Sequence, residues 1–121
     1  MAISIWVRAL PPTVNHYTRP NGRGGAVLTE EVNLFRQLVW AEVVNTHPRP
    51  AVPPDARLAL TMRLTFGTRR RCDIDNRAKT AIDALALALD FDDTRIDRLV
   101  VERAGYDKGR PACEMVLEEL R

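Results

Sequence analysis

The sequence predicts an α+β fold: one domain over residues 1–121, with a mixed four-stranded sheet and two helices in the order β-α-β-α-β-β. Three observations lead there. Some stretches alternate apolar and polar residues at the period of a strand, two others repeat apolar residues at the period of a helix, and the two kinds interleave along the chain. At 121 residues and 45% hydrophobic content, the chain fits a single core that needs no staples.

Ile3, Ile5 and Val7 alternate with Ser4, Trp6 and Arg8, the pattern of a strand, until Pro11-Pro12 stops it. Residues 13–27 are polar and glycine-rich around Asn21-Gly22-Arg23-Gly24-Gly25 and read as a mobile surface loop carrying Arg19 and Arg23. Thr29 is a candidate N-cap, with Glu30 and Glu31 in the first turn where the helix dipole favours negative charge. Val32, Phe35, Val39 and Val43 then recur at helical spacing, with Leu38 alongside, until Pro48, Pro50, Pro53 and Pro54 form a stiff connector. Leu58–Phe66 is the clearest strand, with Leu58, Leu60, Met62, Leu64 and Phe66 on its inward face. Residues 73–89 read as a helix: Ile74, Ala78, Ile82, Leu85 and Leu89 form the packing stripe, and Asp75, Asn76, Lys79, Thr80 and Asp83 the opposite face. Residues 96–103 and 112–120 read as strands joined by the turn Gly105-Tyr106-Asp107-Lys108-Gly109, and they are expected to pair as a hairpin. Trp6, Trp40 and Phe66 fall in strand or helix patterns, which favours core packing over base stacking.

Net charge is only +2, but the 18 basic residues are all arginine except Lys79 and Lys108, and arginine pairs with phosphate through two hydrogen bonds at once. Composition thus leans towards an anionic partner. Cys72 and Cys113 sit in no CxxC pattern and lack a matched histidine cluster, so a reducing, cytoplasmic setting is expected rather than a zinc site or a disulfide scaffold. Neither a signal peptide nor a membrane span is expected.

The chemistry concentrates in Arg69-Arg70-Arg71-Cys72-Asp73-Ile74-Asp75-Asn76, then Lys79, then Asp90-Phe91-Asp92-Asp93. Two carboxylates at a strand-to-helix junction suit a hard divalent cation, Lys79 lies one helical turn beyond Asp75, and three arginines supply a phosphate-positioning surface beside the acids. Phosphodiester cleavage needs an activated water and counter-charge for the developing oxyanion, which carboxylate-held magnesium or manganese can supply. Each feature alone has an ordinary explanation: Asp73 as an N-cap, Lys79 as half of a surface ion pair, Asp92-Asp93 as a solvated turn. His16 and His47 are assigned no chemistry.

Taken together, these residues resemble the RusA family of Holliday-junction endonucleases. The likeness is carried by Pro11-Pro12-Thr13-Val14-Asn15-His16-Tyr17, by Arg69 through Asn76, by Lys79 with Asp83-Ala84-Leu85, and by Asp92-Asp93 with Ile96-Asp97. The resemblance implies catalytic, metal-binding Asp73, Asp75 and Asp93, a functional Lys79, and Asn15 near the site. It also implies a magnesium- or manganese-dependent homodimer that resolves four-way DNA junctions by paired symmetric nicks in recombination and repair. Arg69, Arg70, Arg71, Asn15, Arg19 and Arg23 are the expected nucleic-acid contacts. Cys72 stands where members often carry a basic residue, and the stretch from Asn76 to Asp93 is one residue shorter than in a well-known member. Asp93 is therefore preferred as the third ligand and Asp92 held in reserve. The rival readings are a flap or single-strand nuclease and a non-catalytic nucleic-acid-binding module.

Overall fold

The computed structural model describes residues 1–49 and 52–120; Pro50 of the expected connector lies outside them. Its main sheet has four strands in the order β1-β6-β4-β5: β1 (Ala2–Val7), β4 (Leu58–Phe66), β5 (Ile96–Tyr106) and β6 (Ala112–Glu119). β6 runs antiparallel to both β1 and β4, whereas β4 and β5 are parallel, so the sheet is mixed. The expected α+β class and both helices, α1 (Glu30–Thr46) and α2 (Ala78–Leu89), are present.

Period-two patterning decides the inner face. Ile5, Met115 and Met62 sit side by side across β1, β6 and β4, and Ile3, Leu117 and Leu60 form the next row; all six are buried. Thr29 caps α1 as expected, accepting from the Val32 amide at 3.4 Å, and Val32, Phe35, Val39 and Val43 are its buried residues. α1 lies on β1 and on α2, whose Ala78, Ala81 and Ala84 are buried; such small side chains let helix backbones approach closely.

Four expectations are corrected. β5 and β6 do not pair as a hairpin, because β4 lies between them. α2 carries the chain back from the end of β4 to its start, which lays β5 parallel to β4. The following turn must then cross the end of β4, where the Asp107 and Gly109 amides donate to the Phe66 and Gly67 carbonyls, both at 2.9 Å. Only glycine fits at Gly67, since a Cβ there would come within 2.9 Å of Pro111, and Gly109 takes a positive φ of 68°. Second, residues 13–27 are not simply a loop: β2 (Thr18–Pro20) and β3 (Ala26–Leu28) pair antiparallel. The Asn21 side chain closes this ribbon by accepting from the Arg23 and Gly25 amides at 2.8 and 3.1 Å, so the Asn-Gly run is hairpin chemistry. Third, Trp6 and Trp40 are 43% and 59% exposed; Trp6 stacks with Arg8 and Trp40 is on the outer side of α1, where Leu38 is also exposed. Phe66 is buried as expected. Fourth, Thr80 is buried rather than on the chemical face.

Candidate active site

The exit of β1 is fastened to the start of α2. Pro11 and Pro12 are buried, and their carbonyls accept from Arg77 Nη1 at 2.9 Å and from Thr80 Oγ1 at 2.8 Å. Thr80 turns inward because Pro12, lacking an amide and held rigid, offers a fixed acceptor there. The next residues form a 3-10 turn over Val14–His16 that contains the exposed Asn15. Thr29 then clamps the base of the ribbon, its hydroxyl donating to the His16 carbonyl at 2.6 Å and its amide to the Tyr17 carbonyl at 3.1 Å. Arg19 and Arg23 extend into solvent on the ribbon.

This fastening brings Tyr17 onto α2. Its hydroxyl donates to Asp83 Oδ2 at 2.6 Å and accepts from Arg36 Nη2 at 2.8 Å, so residues from the ribbon base, α1 and α2 meet at one oxygen. Lys79 Nζ donates to the same Asp83 oxygen at 3.2 Å and lies 5.2 Å from the centre of the Tyr17 ring. The Asp83 hydrogen bond and charge hold the Lys79 ammonium protonated to higher pH than an ordinary lysine; the charges of Tyr17 and Asp93 add to this, against a small desolvation cost. Burial, then the Asp83 hydrogen bond, pushes the Tyr17 phenol up as well, with Arg36 opposing. The sequence offered a polar face with Lys79 and Asp83 one turn apart, but gave no sign that Tyr17 or Arg36 would join them. Only the tertiary fastening does that.

The acids divide between two clefts. One, of about 430 Å³, is lined by Asp83, Asp90, Asp92, Asp93 and Arg36. The other, of about 350 Å³, is lined by Arg69, Arg70, Arg71, Asp73 and Arg103. Arg103 of β5, missed by the sequence reading, donates to the Cys72 carbonyl and stacks 4.4 Å over the Phe66 ring, while Arg69 stacks 4.5 Å over Tyr106. Asp75 is exposed at the start of the 3-10 turn Asp75–Arg77, so the regular helix begins at Ala78, later than residue 73. Asp92 Oδ1 accepts from the Thr94 amide at 2.9 Å and hydroxyl at 2.8 Å, capping the 3-10 turn Asp93–Arg95. These hydrogen bonds hold its carboxyl below the usual range.

Carboxylate oxygens are the donors that a hard divalent ion takes, and the buried Oδ1 of Asn76, with no hydrogen-bond partner among the described residues, adds another oxygen beside Asp75 in the chain. The donor chemistry fits such an ion. The assembly does not: among the described residues, no three His, Cys, Asp or Glu side chains stand together closely enough to hold a metal. Nor, among them, is any helix long and apolar enough to cross a membrane.

No curated protein matches the chain. A family model does: that of the endodeoxyribonuclease RusA, over residues 9–115.

Proposed function

The chain belongs to the RusA family of endodeoxyribonucleases, and from that premise we propose that it is a cytoplasmic homodimer that resolves four-way DNA junctions by paired symmetric nicks in recombination and repair. The observation that carries this reading is Lys79, held by Asp83 and Tyr17 and under the charge of Asp93, which lines the acid cleft. Family membership implies a divalent ion, magnesium or manganese. Such an ion would supply an activated water and counter-charge for the leaving oxygen, although among the described residues Asp73, Asp75 and Asp93 do not stand together as a cluster that could hold it.

In this reading Asp73, Asp75 and Asp93 are the acidic catalytic residues and the metal-ligand candidates, and Asp93 is favoured over Asp92 because Asp92 is already engaged as a cap. Lys79, cationic at any working pH, offsets charge on the phosphate. Asp83 and Tyr17 act through Lys79 by fixing where its ammonium stands. Arg69, Arg70 and Arg71, with Arg103, seat the phosphates flanking the scissile bond, and Arg19, Arg23 and Asn15 contact the DNA further out along the ribbon and its base.

The test is cleavage of a synthetic four-way junction, a flap and a plain duplex, with and without magnesium. Metal-dependent symmetric nicking of the junction above the other two is the expected outcome. Equal cutting of flap and junction would replace resolution with structure-tolerant cleavage. The division of the acids between two clefts favours a second reading, a nucleic-acid-binding module without turnover. Junction binding with no nicking in magnesium or manganese would establish it.

A further inference from the structure

The two edges of the main sheet are built differently. β1 is six residues long, with every second side chain buried. β5 is eleven residues long and mostly exposed on both faces, with Leu99 44% and Val100 39% exposed at its middle. No strand among the described residues pairs with its outer side. Edge strands are ordinarily kept from pairing by shortness, bulges, proline or charge at their centre. β5 is irregular at Asp97 and Ala104, where its register against β4 shifts, but the run between them is regular, and its centre is Leu99-Val100-Val101 with charges on either side.

The order of those charges is informative. The run reads Asp97-Arg98-Leu99-Val100-Val101-Glu102-Arg103. Laid antiparallel against itself with Val100 opposite Val100, it sets Arg98 against Glu102 and Leu99 against Val101, with the irregular Asp97 towards the Arg103 end. From Arg98 to Glu102, every charge then meets its opposite and every apolar residue an apolar one. A dyad perpendicular to the sheet permits only registers in which a residue opposes its own copy. Moving the dyad to Leu99 sets Arg98 against Val100 and Asp97 against Val101. Moving it to Val101 sets Leu99 against Arg103 and Val100 against Glu102. Only the register on Val100 matches charge to opposite charge and apolar to apolar over the regular run from Arg98 to Glu102.

We infer that β5 is where two copies of this chain join, pairing antiparallel about Val100 so that their sheets become one continuous sheet. The inference rests on the homodimer of the proposed function and names its surface. The interface is isologous, as a twofold pair requires. Leu99 and Val101 share the face of Leu60 and Met62, their neighbours on β4, so both copies' helices lie on the same side of the joined sheet. The acids keep capacity for a second guanidinium. Asp97 is paired with Arg57, and Glu102 with Arg63 at 2.7 Å, yet their side chains remain 42% and 50% exposed. A carboxylate has lone pairs for more than one donor. Because Arg103 also lines the arginine cleft, the joint lies next to that cleft in each copy.

The test is the dimer dissociation constant of the full chain by sedimentation equilibrium, with circular dichroism to confirm the fold of each variant. Arg98→Glu sets acid against acid twice across the dyad, and it is expected to weaken the dimer at least tenfold. Adding Glu102→Arg restores opposite charges in the same register, and the double variant should return to within about threefold of the unaltered chain. Unchanged association of Arg98→Glu, or no recovery in the folded double variant, would overturn the β5 joint. If both remain dimers while Trp40→Glu on the outer side of α1 separates the copies, the homodimer stands and β5 is the wrong surface. A chain that is monomeric at about 100 μM without any substitution would remove both.

Discussion

The two clefts beside α2 differ in sign. The one at its C-terminal end gathers Asp83, Asp90, Asp92 and Asp93 with Arg36 as a cation on its wall, whereas the one before its N-terminus gathers four arginines with Asp73 as the carboxylate. Such a separation sorts tasks. Carboxylates repel a DNA backbone unless a cation intervenes, while arginines attract it without help. By charge alone, the arginine cleft suits a phosphate backbone and the acid cleft suits a cation. A net charge of +2 conceals this division completely.

The sharpest way to break the comparison is to neutralise an acid on either side of it. Asp73→Asn in the arginine cleft and Asp93→Asn in the acid cleft are each expected to leave junction binding intact, by gel shift, while cutting the nicking rate about 100-fold or more, the size seen when a transition-state electrostatic group is lost. If Asp93→Asn nicks at the normal rate, the acid cleft has no catalytic part. Next in size is the arginine side. Replacing Arg70 and Arg71 by alanine should weaken junction binding about tenfold or more near physiological salt and lower the slope of log affinity against log salt by roughly 0.9 for each phosphate left without its arginine. At saturating protein the cutting rate should hardly change. A rate loss with binding intact would reverse the two assignments.

A smaller effect is expected from Asp83→Asn, about tenfold in rate, because the amide still occupies the position but no longer fixes the Lys79 ammonium by charge. The pH profile separates positioning from titration. Asp83 raises the Lys79 pKa above its ordinary 10.5, so its charge and the accompanying stabilisation are complete below that value and are lost only as pH rises through the still higher folded one. Lys79 should therefore contribute no limb to the activity profile between about pH 6 and 9, in the original chain or in the Asp83→Asn variant. The smallest effect concerns Asp92. Its pKa lies below the ordinary 3.8, so the stabilisation it gives is complete above that value and disappears as pH falls through the lowered one. Asp92→Ala should lower the melting temperature slightly at pH 7 and make no difference at a pH below both values. A constant difference across that range would mean that the Thr94 cap is not the cause.

Much of the candidate site was legible from the residues alone. Arg69, Arg70, Arg71 and Asp73 adjoin in sequence and line one cleft, and Lys79 and Asp83, one helical turn apart, form an ion pair, as adjacency and helical spacing lead one to expect. Asp93 was a different matter: it lies beyond the far end of α2, and its proximity to Lys79 required the chain to fold back over that end. Tyr17 and Arg36 gave no local signal, since each meets Asp83 or its partner only through the fastening of Pro11 and Pro12 to α2. The exposed Trp6 and Trp40 show the converse. Aromatic bulk and the right periodicity assign a residue to an element but not to its buried side.

The amino-acid order by itself determined which face of each long strand is apolar, where α1 begins, and that arginines precede two aspartates, because side-chain period, capping and adjacency are properties of a few neighbouring residues. Only the tertiary structure decided that β4 lies between β5 and β6, that Thr80 faces inward, and that the acids and arginines open to separate clefts. Strand patterning specifies a face to bury and leaves the neighbour open. The neighbour here was chosen by the crossover through α2 and by a turn able to pass over the end of β4 at Gly67.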